Sequence, residues 1–245
     1  MNKYKKIISL AATAVICVSP MSVYAQEVQT DMTEAVSEKT QGTESSSVPV
    51  LQKEGIEISE GTGYDLSKEP GAETVTALEQ GTIVISYKTT SENAVQSLLS
   101  VGNGTKGNQD RHFHLYITNA GGVGMELRNT DGEFKYTLDR PAAVRGSYKG
   151  ERVSNTVALK ADKENKQYKL FADGELLATL DQEAFKFISD ITGVDNVMLG
   201  GTMRQGTVAY PFGGSIESLQ VYQDVLSDCL LYTSQEGLRQ IHCRV

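Results

Sequence analysis

The residues best equipped for chemistry lie between His112 and Arg128, in HFHLYITNAGGVGMELR. His112, His114 and Tyr116 fall at every second position, and Glu126 and Arg128 repeat that spacing further on. Between them stand Phe113, Leu115, Ile117, Val123, Met125 and Leu127. Strand side chains alternate between faces. The pattern therefore predicts two strands, 112–118 and 123–128, joined at Asn119-Ala-Gly-Gly122, with an apolar face to the core and a polar face outward. A one-residue slip would bury the charges, which fixes the register. A face that gathers a tyrosine, a glutamate and an arginine suits a small ligand. Arginine offers paired donors to a carboxylate, and glutamate accepts from an amide N–H. Arg128 beside Glu126 favours the ionised carboxylate, which argues against a general acid. The same pair also fits a solvated strand-surface ion pair worth little. His112 and His114 share a face, but no third ligand follows at a metal-site spacing, so neither a metal nor another cofactor is expected. Asn103, Asn108 and Asp110 offer oxygens of the kind calcium takes, with a plain polar loop as the simpler account.

These residues need a rigid support, and the surrounding sequence supplies strands. Short runs rich in Val, Ile, Leu, Phe and Tyr recur about every ten residues, bounded by Gly, Asn and Asp. They fall at 55–58, 82–87, 96–101, 134–138, 155–161, 168–172, 175–180, 197–200 and 212–222. Asp173-Gly174 marks a tight hairpin. Ile216 and Leu219 sit out of step in the last strand, which predicts a bulge. Helix signals are confined to single turns at 92–97 and 181–189. The texture is all-β, and roughly 180 residues suit two packed antiparallel sheets.

The ends differ from this body. Residues 1–25 read as a secretory signal: Lys3, Lys5 and Lys6 precede the apolar run 7–18, and Val23-Tyr24-Ala25 suits cleavage before Gln26. The run is short for a bilayer span. Ile16 before Cys17 is too bulky for a lipoprotein cleavage site. Residues 26–48 are polar and acidic without aromatics, a composition that cannot offset its ordering entropy, and read as a disordered linker. The folded part is expected over 49–228. Residues 229–245 break from it in composition and contain Cys229 and Cys243; they read as a short helix or as an atypical, truncated or wrongly joined tail. With Cys17 in the signal and the other two in the tail, the domain needs no disulfide. The product is expected outside the cell, as a monomer with no membrane contact once the signal is removed. A net charge of −8 over 245 residues argues against nucleic acid.

The runs Tyr168-KLFADGELL-Ala178, Val197-MLG-Gly201 and Phe212-GGSIESLQVYQDVLS-Asp228, in that order and spacing, resemble the laminin-G and concanavalin-A-like lectin superfamily. Tyr116, Gly124-Met-Glu-Leu-Arg128 and Met203-Arg-Gln-Gly-Thr-Val-Ala-Tyr210 narrow the likeness. From about Val48 to Asp228 the chain resembles family 40 of the carbohydrate-binding modules, the sialic-acid-binding modules that precede the catalytic propeller of bacterial sialidases. The resemblance implies a concanavalin-A-like jelly-roll β-sandwich that binds sialylated, mucin-type glycans without catalysis. Position by position, it implies that Arg128 and Arg204 grip the sialic acid carboxylate and that Glu126 accepts from the acetamido N–H. It also implies that Tyr210 supports the carboxylate region and the sugar face, and that Tyr116 and Val95 line the N-acetyl methyl. Val95 departs from the Ile of the family pattern and shortens that wall.

Enzymatic readings find little support. A sialidase propeller repeats Trp-bearing motifs, and this sequence contains no Trp. The paired carboxylates of a lectin-fold glycosidase and a Gly-x-Ser-x-Gly elbow are both missing. Three alternatives stay open: a laminin-G-like adhesion or protein-binding domain, a neutral-polysaccharide module, or a fragment of a full sialidase. Aromatic content of 7% is low for a neutral-glycan platform. Fold alone does not choose between these, since this superfamily hosts many ligands.

Overall fold

The computed structural model describes residues 47–90, 95–105, 110–129, 133–140 and 154–228. The expected signal, nearly all of the linker, the start of the turn at 92–97, Asn108 and the tail from 229 lie outside the described residues. Two six-stranded antiparallel sheets dominate. From edge to edge, the first holds β1 (Leu51–Ile58), β14 (Gly214–Tyr222), β3 (Gly81–Thr89), β8 (Asn155–Asp162), β9 (Gln167–Ala172) and β10 (Glu175–Asp181). The second holds β2 (Tyr64–Asp65), β11 (Asn196–Leu199), β4 (Gln96–Gly102), β5 (His112–Ile117), β6 (Val123–Asn129) and β7 (Phe134–Arg140). A separate hairpin pairs β12 (Thr202–Arg204) with β13 (Thr207–Ala209). One short helix, α1 (Ala72–Thr76), buries Ala72 and Val75. Among the described residues no helix is long and apolar enough to cross a membrane.

The core forms where the inward faces of the two sheets meet. Ile83, Ile85 and Tyr87 of β3, with Val157, Leu159 and Ala161 of β8, face Leu99 and Val101 of β4 and the apolar row of β5 and β6. Period-two patterning delivers these residues to one face, and the sandwich of the jelly-roll kind follows from two such faces. In β14 the register shifts between Ile216 and Ser218, so Ile216 pairs with Tyr87 and Leu219 with Ile85. The extra residue, Glu217, is the expected bulge, and it brings two odd-spaced side chains to the same face. Asp173 (φ 47°) and Gly174 (φ 78°) are both left-handed, as the two-residue turn between β9 and β10 requires. The helical turn expected at 181–189 shrinks to a 3-10 turn at Ile188–Asp190, and residues 96–97 belong to β4 rather than to a helix.

Candidate functional site

The site is built on the outer face of the second sheet. There His112 pairs with Arg128, His114 with Glu126, and Tyr116 with Gly124. Phe113, Leu115 and Ile117 pair with Leu127, Met125 and Val123 on the core side, all of them fully buried. The turn closes with the Thr118 N–H donating to the Gly122 carbonyl (2.8 Å) and the Gly122 N–H to the Thr118 hydroxyl (2.9 Å). That closure sets the register that brings Glu126 and Arg128 alongside the histidines.

Gly124 makes room for Tyr116. A Cβ there would stand 2.7 Å from Tyr116 Cζ and 2.8 Å from its hydroxyl oxygen. The phenol therefore folds over its cross-strand partner and stacks on His114, with ring centroids 4.5 Å apart and planes 29° apart. Tyr210 packs against the same imidazole at 5.3 Å, tilted by 35°. Tyr116, His114 and Tyr210 thus form one aromatic cluster on this face. Both histidines are buried, at 2% and 4% exposure. Alternation alone placed them on an open polar face, but the tyrosines pack on His114, and His112 packs on His114 and Glu126.

Arg204 arrives from outside both sheets. It ends β12, and the hairpin turns through Gln205 (φ 52°) and Gly206 (φ 77°), two consecutive left-handed residues of the tight hairpin type. The hairpin is fastened to the sheet at several points. The Gly206 N–H donates to the Gly104 carbonyl (2.8 Å), the Ser97 N–H to the Tyr210 carbonyl (2.9 Å), and the Thr202 hydroxyl to Ser97 Oγ (3.1 Å). Tyr210 is itself left-handed (φ 52°), a conformation costly for a large side chain and often stored at functional sites. That backbone turn brings its hydroxyl within 2.7 Å of Arg204 Nη1, from which it accepts a hydrogen bond.

The two arginines meet at one atom. Arg128 Nη1 lies 3.1 Å from Asp110 Oδ1, and Arg204 Nη2 lies 3.3 Å from the same oxygen. The guanidinium nitrogens can thus be no further apart than these two contacts laid end to end, although they lie on different strands. Asp110 is an arginine partner, whereas the sequence suggested a calcium oxygen or an idle loop residue. Asn103 likewise serves its own loop, accepting from the Thr105 N–H at 3.0 Å.

Glu126 has three cationic or donor neighbours. His112 Nε2 lies 3.2 Å away and must donate to a carboxylate; Arg128 Nη1 and Lys135 Nζ each lie at 3.6 Å. Burial would push the carboxyl up, but the His112 hydrogen bond and the Arg128 charge help to hold it at about 2. It is an acceptor at any ordinary pH. The closer partner of Glu126 is His112, so the Glu126–Arg128 pair expected from sequence is the looser contact. Burial depresses His114 to about 3, with His112 and both guanidiniums adding to the effect against Glu126. A neutral His114 faces the Thr202 hydroxyl through Nδ1 at 3.4 Å. Burial, then the Asp139 and Glu126 charges, push the Tyr116 hydroxyl upward, so it stays protonated.

Val95 stands one residue before β4, half-buried, two positions from Ser97, which pairs with Tyr116. Arg128, Arg204, Glu126, Tyr210 and Tyr116 are joined by contacts through Asp110, His112 and His114; Val95 has no such contact among those described. The third metal-capable group that linear spacing did not reveal is Glu126: its carboxylate and the two imidazoles offer ligand atoms all within 4.8 Å of one another. These three could hold a metal ion, and in this arrangement His112 is hydrogen-bonded to Glu126 while His114 turns to Thr202. Sequence reasoning missed Asp110, Gly124 and the ring-stacking role of His114. Counting outward from the Asn119–Gly122 turn would have paired Tyr116 with Gly124. Nothing local in the sequence marks Asp110.

Known proteins share this arrangement of strands. The model of the sialidase N-terminal domain matches residues 48–237. The IT-sialidase CBM40 of Ruminococcus gnavus, solved bound to alpha2,6 sialyllactose, is 92% identical, with a TM-score of 0.72 over 76% of this chain and 98% of that one. The same domain bound to alpha2,3 sialyllactose is 89% identical, also with a TM-score of 0.72, over 76% and 98% of the two chains. The anhydrosialidase of Macrobdella decora is 62% identical over 221 residues, covering 88% of this chain and 29% of that protein. This chain therefore spans under a third of the length of that relative. A two-sheet sandwich with this outer face, matched by the family model over most of its length, belongs to the sialidase N-terminal domain family.

Proposed function

We propose that residues 49–228 bind terminal sialic acid on glycans and carry out no chemistry on it. The observation that carries this reading is the convergence of Arg128 and Arg204 on a single carboxylate oxygen. Two guanidiniums at one place on a face offer the paired donors that an anionic sugar's carboxylate takes. The sugar carboxylate takes Arg128 and Arg204, with Tyr210 supporting it through Arg204. Glu126, ionised, accepts the acetamido N–H. Tyr116 and Val95 wall the N-acetyl methyl. The Ruminococcus gnavus domain, bound to both sialyllactoses, supports this ligand class. An adhesion domain or a neutral-glycan module gives no reason for two converging arginines.

A site for one sugar buries few atoms, so affinity is expected in the roughly millimolar to high-micromolar range. Such a domain gains by tethering to an enzyme or by repetition on a glycan surface, and in a longer protein it would hold a sialidase near mucin-type substrates. The N-terminal 25 residues fit export, and we assign the protein to the extracellular space as a monomer. Calorimetry with 3′-sialyllactose against lactose tests the proposal. Binding of the first alone is expected; equal binding of both, or of neither, removes it.

A further inference from the structure

Resting on the sialic-acid reading, we infer that Asp110 is a positioning residue that sets the spacing of the two ligand-binding arginines. Its Oδ1 alone takes one Nη of each guanidinium, at 3.1 and 3.3 Å. A guanidinium presents five N–H donors in a fixed fork. The contact with Asp110 uses one of those donors on each arginine. Arg204 is further braced by the Tyr210 hydroxyl through its other terminal nitrogen. Arg128 has Glu126 at 3.6 Å as its other carboxylate.

Without Asp110 two like charges would face each other, each on a flexible arm. One of these arms stands on β6 and the other on the β12–β13 hairpin. The guanidinium side chains are 26% and 24% exposed, so solvent is open to either if it swings away. Ordering two rotamer-rich side chains costs affinity when the ligand must do it. Asp110 does that ordering beforehand. It also places a negative charge near the incoming sugar carboxylate, a repulsion that opposes the gain from ordering. Arg128, Arg204, Glu126 and Asp110 sum to zero charge, so the face recognises a carboxylate by placed donors more than by net attraction.

The test is titration of 3′-sialyllactose into wild type, Asp110→Asn and Asp110→Glu at about 0.15 M salt, with melting temperatures alongside. Asp110→Asn keeps the shape and removes the charge; its affinity is expected to fall roughly tenfold at an unchanged melting temperature. Its binding should also become more sensitive to salt, because the face then carries a net positive charge. Asp110→Glu restores the charge and should recover most of the affinity, a rescue that a merely structural role would not produce. Equal or tighter binding by Asp110→Asn would overturn the inference and make Asp110 a competitor of the ligand. A folded Asp110→Glu as weak as Asp110→Asn would overturn it too. If Asp110→Asn melts early, Asp110→Ser serves as the neutral variant under the same criteria. Wild type separates the two kinds of failure: if it ignores sialyllactose the ligand assignment falls, whereas binding that Asp110→Asn leaves intact removes only the positioning role.

Discussion

Gly124→Ala should both loosen the fold and damage the site, contrary to the usual effect of replacing a strand glycine. An interior strand glycine is ordinarily less favourable than alanine by roughly 0.5–1 kcal/mol. Here the added Cβ would lie 2.7 Å from Tyr116 Cζ, 2.8 Å from its hydroxyl oxygen and 2.8 Å from Asp139 Cβ. Ordinary contact begins at about 3.4 Å, so the phenol must retreat by about 0.7 Å. It has little freedom to do so, since His114 stacks on it at 4.5 Å. Overpacking of this kind costs roughly 1–3 kcal/mol. Taking the middle of each range, the net loss is about 1 kcal/mol, a fall in melting temperature of roughly 2–4 °C for a domain of this size. Scanning calorimetry measures the fall, and titration with 3′-sialyllactose should show severalfold weaker binding as the ring is displaced. In a Tyr116→Ala background the cost should drop by about half, with the Asp139 contact remaining. A higher melting temperature with unaltered binding, or an identical cost in both backgrounds, would refute the steric account.

Arg128→Ala and Arg204→Ala should each weaken sialyllactose binding by roughly 10- to 150-fold, the worth of charge-assisted hydrogen bonds of about 1.5–3 kcal/mol; calorimetry would then detect no heat. Arg204→Lys keeps the charge but cannot span Tyr210 and Asp110 together, so wild-type affinity in that variant would count against the fork geometry. Glu126, ordinarily near 4.5 and held at about 2, contributes stability that is complete above about pH 4.5 and is lost as pH falls toward 2. Melting temperatures between pH 7 and 3 should show this acid-side slope, and Glu126→Gln should flatten it. Asp228→Ala should destabilise by roughly 1–3 kcal/mol, because it strands the buried Lys160 ammonium, and Lys160→Met in that background should recover much of the loss. Chemical denaturation of the single and double variants checks the pairing.

The sandwich was legible because its strands obey period two over long stretches, and a single irregularity, Ile216 against Leu219, announced its bulge. The hairpin that carries Arg204 was not legible as strands. Three residues on each side give too little alternation to detect, and Gln205-Gly206 is a weaker turn signal than Asp173-Gly174. Helix α1 escaped for the same reason: five residues span little more than one turn. On the outer face, alternation placed His112, His114, Tyr116, Glu126 and Arg128 on one side, as the register has them, and misjudged the exposure of the histidines. His114 is packed by Tyr116 and Tyr210, and Tyr210 comes from a distant segment. Asp110 shows the same limit more sharply, since its partners are 18 and 94 residues away in sequence. Pairwise contacts between loops leave no periodic trace.

Because β12 and β13 pair as strands only with each other, one of the two converging arginines rides on a small hairpin that is tied to the second sheet by a few hydrogen bonds. If the domain binds as proposed, recognition could be retuned by changing the residues between Thr202 and Tyr210, with those two kept as the anchors to the second sheet. Such a division lets one scaffold be diversified for many acidic sugars, much as antibody loops vary on a constant frame.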